Sequence, residues 1–234
     1  MNALPTPYGF TQSIRAVLSE IADPAAAVAM RAYMRDQFDY LGTPSNPRRA
    51  ATVPLIKSLG VISADQALGY ARSLWAQPQR EYRYVAVDLL LRCRKGLSSE
   101  CIPALLELAR DGSWWDTVDG LASVVGKVLE VDRKTDPDAQ RQMDAALLHE
   151  NLWTRRIAMI HQVGWKNETD AARLFSYART LAPETDFFIR KAIGWAIRDY
   201  AWHQPAAVRG FLDEMGNRLS SLSIREAAKH LDNL

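Results

Sequence analysis

The chain has 234 residues, 48% of them hydrophobic and 24% charged, with a net charge of +2. That is enough apolar material to bury a core as one domain over 1–234, which excludes the disordered and collagen-like classes. The charge excess is too small to advertise a nucleic-acid reader by itself, so any affinity for DNA has to come from how charge is distributed.

The amino-terminal stretch MNALPTPYGFTQ has no basic segment followed by an apolar one, so the cytoplasm is the expected location. Apolar runs such as Val85 to Leu91 are broken by charge after a few residues, far short of a membrane span. Apolar residues recur at helical spacing almost throughout, as with Tyr82, Val85, Ala86, Leu89 and Cys93 at i, i+3, i+4, i+7 and i+11. Breaks are regular: Asp23-Pro24, Pro47, Pro78, Ser98, Asp111-Gly112, Asp136-Pro137, Pro183 and Pro205 separate the periodic segments. The prediction is an all-α chain of about a dozen helices. Cys93 and Cys101, eight positions apart, match no zinc or redox spacing and are expected as free thiols.

The segment SWWDTVD at 113–119 opens a helix whose core stripe is Trp114, Val118, Leu121, Ala122, Val125 and Leu129. Trp115 and Asp119 lie one turn apart and about 100° round from that stripe, so they are neighbours at its border. Their plain reading is a half-buried aromatic beside an acid favoured by the helix dipole. Next comes Leu152-Trp153-Thr154-Arg155-Arg156, with Trp153, Ile157 and Ile160 on the apolar stripe and Arg156 at its edge. An arginine pair at a helix start is either solvated or a clamp for phosphate. In Phe187 to Trp195, Trp195 stands beside the stripe of Ile189, Ile193, Ala196 and Tyr200, as core filler or as a ligand-facing ring.

Aligned on a small residue, successive segments repeat: Ala86, Ala122, Ala158, Ala192 and Ala227 are separated by 36, 36, 34 and 35 positions. Arg156, Arg190 and Arg225 stand two places before the last three. A period in the middle thirties predicts a solenoid of helix pairs, each pair burying its apolar face on its neighbours, with inner helices lining a concave surface. The basic pairs Arg48-Arg49, Arg155-Arg156 and Arg190-Lys191 hint at one polarised face. No nucleotide-binding glycine motif or serine-hydrolase elbow occurs, and the four histidines are dispersed. The expectation is therefore chemistry by plain side chains, with no cofactor and no metal.

SWWDTVD, LWTRR, FFIRKAIGWAIRDYA and SIREAAKHL, in that order, resemble the DNA alkylation repair family, the bacterial 3-methyladenine and 7-methylguanine DNA glycosylases built from HEAT-like repeats. The likeness is dense from about 113 to 231 and thinner over Arg31 to Arg35 and Phe38 to Gly42. It implies a right-handed solenoid of antiparallel helix pairs with a concave DNA-binding face. It also implies Asp119 as the catalytic carboxylate, Trp115 and Trp195 flanking the lesion, Arg156 beside them, and Tyr33 near the DNA groove. Arg48, Arg49, Arg155, Arg190 and Lys191 are the expected contacts to DNA phosphates. The expected partner is duplex DNA carrying alkylated bases, bound by a monomer. Two other readings remain open: a non-catalytic scaffold for damaged or branched DNA, and a protein-interaction solenoid.

One acid suits such a reaction. Alkylation at N3 or N7 makes the purine a cationic leaving group, so the proton that most sugar hydrolases must deliver is not needed. A single carboxylate then stabilises the positive charge growing on deoxyribose and orients water, while indole faces attract the cationic base.

Overall fold

Helix starts follow directly from local chemistry. Thr6 accepts a hydrogen bond from the Gly9 backbone at the head of α1 (Pro7–Glu20), and Asp23 caps α2 (Pro24–Tyr33), with proline in the first turn of each. Helices α3 (Ser45–Ser58), α4 (Ala64–Trp75), α5 (Arg80–Cys93) and α6 (Ile102–Arg110) follow, α4 opened by a reciprocal Ser63–Gln66 capping box. Next are α7 (Trp115–Asp132) and α8 (Arg141–Leu147), then α9 (Leu152–Ile160), capped by Asn151. Asp170 caps α10 (Ala171–Leu181) and Asp186 caps α11 (Phe187–Ala201), with α12 (Pro205–Met215) and α13 (Ser221–Ala228) completing the chain. This computed structural model describes residues 4–231, and among them regular structure is helical apart from one isolated bridge between Asp39 and Gln79. The all-α prediction holds. Pro47 is a correction: it is not a break but lies in the first turn of α3, where its missing N–H has no helical partner to lose.

Contacts divide the chain into two compact units, Met1–Ala104 and Leu105–Leu234. In the first, α4 packs on α1 and α5, and α3 packs on the same two helices. Ile14, Leu18, Leu74, Trp75, Tyr82, Val85 and Leu89 are buried there. The buried Glu81 carboxylate accepts three backbone N–H bonds, from Leu41 at 3.0 Å, Gly42 at 2.9 Å and Thr43 at 3.1 Å, which pins the segment entering α3.

In the second unit α7, α9, α11 and α13 pack in succession, with α8 against α9, and α10 and α12 against α11. The alanine series sits on every other helix, and Ala86, Ala122, Ala158, Ala192 and Ala227 are all buried. Two glycines mark where backbones come closest. A Cβ on Gly126 of α7 would lie 2.0 Å from the His161 carbonyl oxygen, and one on Gly194 of α11 would lie 2.4 Å from the Glu226 Cβ of α13. No side chain fits at either contact.

A polar cluster joins α8, α9 and α10, with Gln140 and His161 buried and Asp144 and Arg173 partly exposed. The His161 ring donates from Nδ1 to the Ala158 carbonyl at 2.6 Å and meets the Gln140 amide at 3.1 Å through Nε2. Burial pushes its pKa down to about 4, so the neutral ring is the folded form. Arg173 holds both oxygens of Asp144, at 2.9 and 3.1 Å, and this pairing keeps that carboxyl below the usual range.

Candidate active site

Three helices of the second unit supply the site. Trp114 is extended, so α7 begins at Trp115 and sets Asp119 one turn further on. Val118, Leu121, Ala122 and Val125 face the core, whereas Trp115 and Asp119 are half-buried beside them, as the period predicts. Trp114 is half-buried too and joins an aromatic cluster, 5.8 Å from the Trp153 ring and 5.3 Å from Phe188. Trp153 and Phe188 in turn lie 4.9 Å apart, so the first turns of α9 and α11 are packed together where the site is built.

Arg156 of α9 reaches from this cluster to Asp119 of α7. Its Nε donates to Asp119 Oδ1 at 2.7 Å and its NH2 to Oδ2 at 2.7 Å, while NH1 donates to the Phe188 carbonyl of α11 at 2.6 Å. The planar fork therefore spends every nitrogen, two on the acid and one on a neighbouring helix. The Arg156 side chain is 3% exposed and that of Asp119 is 20% exposed, so of the pair it is the acid that reaches the surface. The Arg156 guanidinium also stands 5.6 Å from the Trp195 ring centroid, and Arg198 approaches that ring at 5.9 Å. Burial raises the Asp119 pKa, opposed by the hydrogen bonds and charge of Arg156 and helped by the charge of Asp116, with a net result above the ordinary aspartate value.

Asp119, Arg156 and Trp195 are thus brought together, and Trp115 joins Asp119 by its place on α7. The other expected residues are distributed differently. Arg155 turns away from Arg156: it pairs with Glu184 at 2.8 Å and donates to the His149 and Glu150 carbonyls. Arg190 donates to the Glu184 carbonyl at 2.9 Å, and Lys191 pairs with Glu226 at 2.8 Å. In the first unit Arg48 is buried, 3.4 Å from Asp88 and 4.9 Å from the Tyr84 ring, while Arg49 holds the same Asp88 with a side chain 56% exposed. Tyr33 ends α2 and is 72% exposed. The Phe188 carbonyl, which completes the Arg156 fork, leaves no mark in a sequence because every residue carries that atom.

Among the described residues no cluster of three or more His, Cys, Asp or Glu side chains is placed to hold a metal ion, and no helix is long and apolar enough to cross a membrane. The arrangement offers a fixed, partly exposed anion whose arginine partner faces an indole ring. That pairing stabilises a cation built up next to it.

The sequence profile of the DNA alkylation repair enzyme family matches residues 14–231. A predicted DNA alkylation repair enzyme from Enterococcus faecalis has a similar solved structure, with a TM-score of 0.83 and 30% identity, covering 91% of this chain and 98% of that one. No curated protein matches the chain.

Proposed function

The chain belongs to the DNA alkylation repair enzyme family, and from that premise we propose that it is a DNA glycosylase hydrolysing the N-glycosidic bond of cationic alkylated purines, such as 3-methyladenine and 7-methylguanine, in duplex DNA. The observation that carries the reading is the Asp119 carboxylate: both oxygens are fixed at 2.7 Å by Arg156, whose guanidinium also faces the Trp195 ring, yet the acid's side chain stays 20% exposed. A mobile acid would have to be oriented during the reaction, whereas this one is oriented beforehand.

In this mechanism the lesion lies against Trp195 and Trp115, whose ring faces favour a cationic over a neutral purine by roughly 0.5–2 kcal/mol. As the glycosidic bond lengthens, the electrons leave with the base, which its own positive charge already makes a good leaving group. Asp119 stabilises the charge that appears on the sugar and orients the water that adds to it, taking up the proton that water loses. Arg156 touches neither the sugar nor the base in this scheme. It holds Asp119 in place, a role other than the lesion contact that the family resemblance implies for it. The row α7, α9, α11 and α13 is the inner, DNA-facing layer of a HEAT-like array acting as a monomer. Phosphate contacts fall to Arg49, Arg155, Arg190 and Lys191 once their surface pairs yield, with Tyr33 at the groove, while Arg48 supports Arg49 through their shared Asp88.

Release of free base from duplex DNA carrying 7-methylguanine tests the reading. Wild-type protein is expected to release the base without added metal. Asp119→Asn should bind the same DNA and release almost none. Tight DNA binding without release by wild type would favour a non-catalytic scaffold instead.

A further inference from the structure

Trp195 also lines a cleft of about 410 Å³ that the mechanism above does not use. Trp195, Arg198, Asp199 and Trp202 line it from one face of α11, Lys229 and His230 from the end of α13, and Val163 from the turn after α9. Trp202 closes α11 with 52% of its surface exposed, so its ring is open to a stacking partner. Its indole is braced rather than loose, because the His230 ring lies 4.9 Å away at 35°. Asp199 adds one anion to the lining, with an oxygen fixed by the Gly164 N–H at 2.8 Å, so a bound phosphate has to sit at the cationic part of the rim. The Arg198 and Lys229 cations border the aromatic floor, Arg198 held from behind by Glu226 at 3.1 Å.

A braced, exposed indole with cations at its rim is the chemistry that takes an unstacked nucleobase and its phosphate. We infer that this cleft is a second DNA subsite, which accepts an unpaired nucleotide with its base on Trp202 and its phosphate toward Lys229 and Arg198. A paired base offers only its edges, so the cleft selects strand that has been opened. Its position explains what it would be for: Trp195 is shared, its ring meeting Arg156 and also lining the cleft. A nucleotide displaced near the lesion would be captured one ring away from the reacting sugar. This role rests on the glycosylase reading, while the binding itself does not.

The test uses the full chain and a short single-stranded oligothymidylate, followed by quenching of tryptophan fluorescence, alongside base release from 7-methylguanine duplex. Trp202→Ala should weaken oligothymidylate binding by about fivefold or more, and Trp202→Phe, which keeps a stacking ring, should restore most of it. Lys229→Ala should weaken binding and flatten its salt dependence. Equal binding by wild type and Trp202→Ala would overturn the subsite even if base release is normal. Loss of binding in Trp202→Ala would uphold it even if wild type releases no base, in which case only the glycosylase reading fails. Thymidine monophosphate bound as tightly as the strand would overturn the assignment to DNA.

Discussion

Arg156 and Asp119, thirty-seven positions apart, form a two-pronged ion pair with both contacts at 2.7 Å, and a third bond from the same guanidinium ties the pair to the Phe188 carbonyl. One buried cation thereby links α7, α9 and α11. The acid cannot rotate without breaking two charge-assisted bonds, and the helices cannot separate without leaving a buried guanidinium short of acceptors.

Replacing Arg156 should therefore damage both stability and catalysis. Arg156→Ala removes the cation that holds both oxygens of Asp119 and is expected to cost roughly 3 kcal/mol in chemical denaturation. Base release should fall about a hundredfold, as when one preorganised electrostatic partner is lost. Arg156→Lys keeps the charge without the planar fork and should fall between the two. An Arg156→Ala protein as stable and active as wild type would remove the basis for this role.

Acid should switch off base release through Asp119. Its burial raises the pKa, so the rate is expected to drop as pH falls through a value above the ordinary aspartate pKa of 3.8. Stability should respond in the opposite sense at this group. The folded state holds the proton more tightly than the unfolded chain, so ionisation costs stability as pH rises from the ordinary value through the folded one. Single-turnover rates across this range, corrected for spontaneous depurination, would show it; a profile level down to the ordinary aspartate value would contradict it.

The neutral His161 predicts a separate acid sensitivity of the fold. Its folded pKa of about 4 lies below the usual 6.5, so the unfolded chain takes up the proton first. Its contribution is fully present above the unfolded value and is lost as pH falls toward 4, by on the order of 3 kcal/mol. Asp144, whose pKa Arg173 holds below its usual 3.8, adds its own loss only in stronger acid. Melting temperature should fall over the His161 window in wild type and much less in His161→Asn. Parallel curves for the two proteins would exclude this histidine as the cause.

Gly194 permits the close contact of α11 with α13. Gly194→Ala places a methyl 2.4 Å from the Glu226 Cβ and 2.9 Å from the Ser223 carbonyl oxygen, so the helices must part. A loss of about 1–3 kcal/mol is expected in denaturant unfolding, with a smaller effect from Gly210→Ala, where a Cβ meets nothing within 4 Å. Equal stability of the two variants would mean that the contact is readily relaxed.

Much of this protein follows from sequence alone. Caps such as Asn151 and Asp186, proline in first turns and the apolar period determine where helices form, because these are interactions within a few residues of chain. The alanine register likewise marks the packed helices, and the one-turn spacing sets Trp115 and Asp119 side by side. Arg155 and Arg156 show where such reasoning stops. Both are basic, adjacent and at the start of the same helix, yet one binds Glu184 and the other Asp119. Periodicity sets how residues are arranged around a helix axis, whereas the rotation of α9 between α7 and α11 is decided by the packing of Trp114, Trp153 and Phe188. Only that tertiary contact determines which arginine meets the acid.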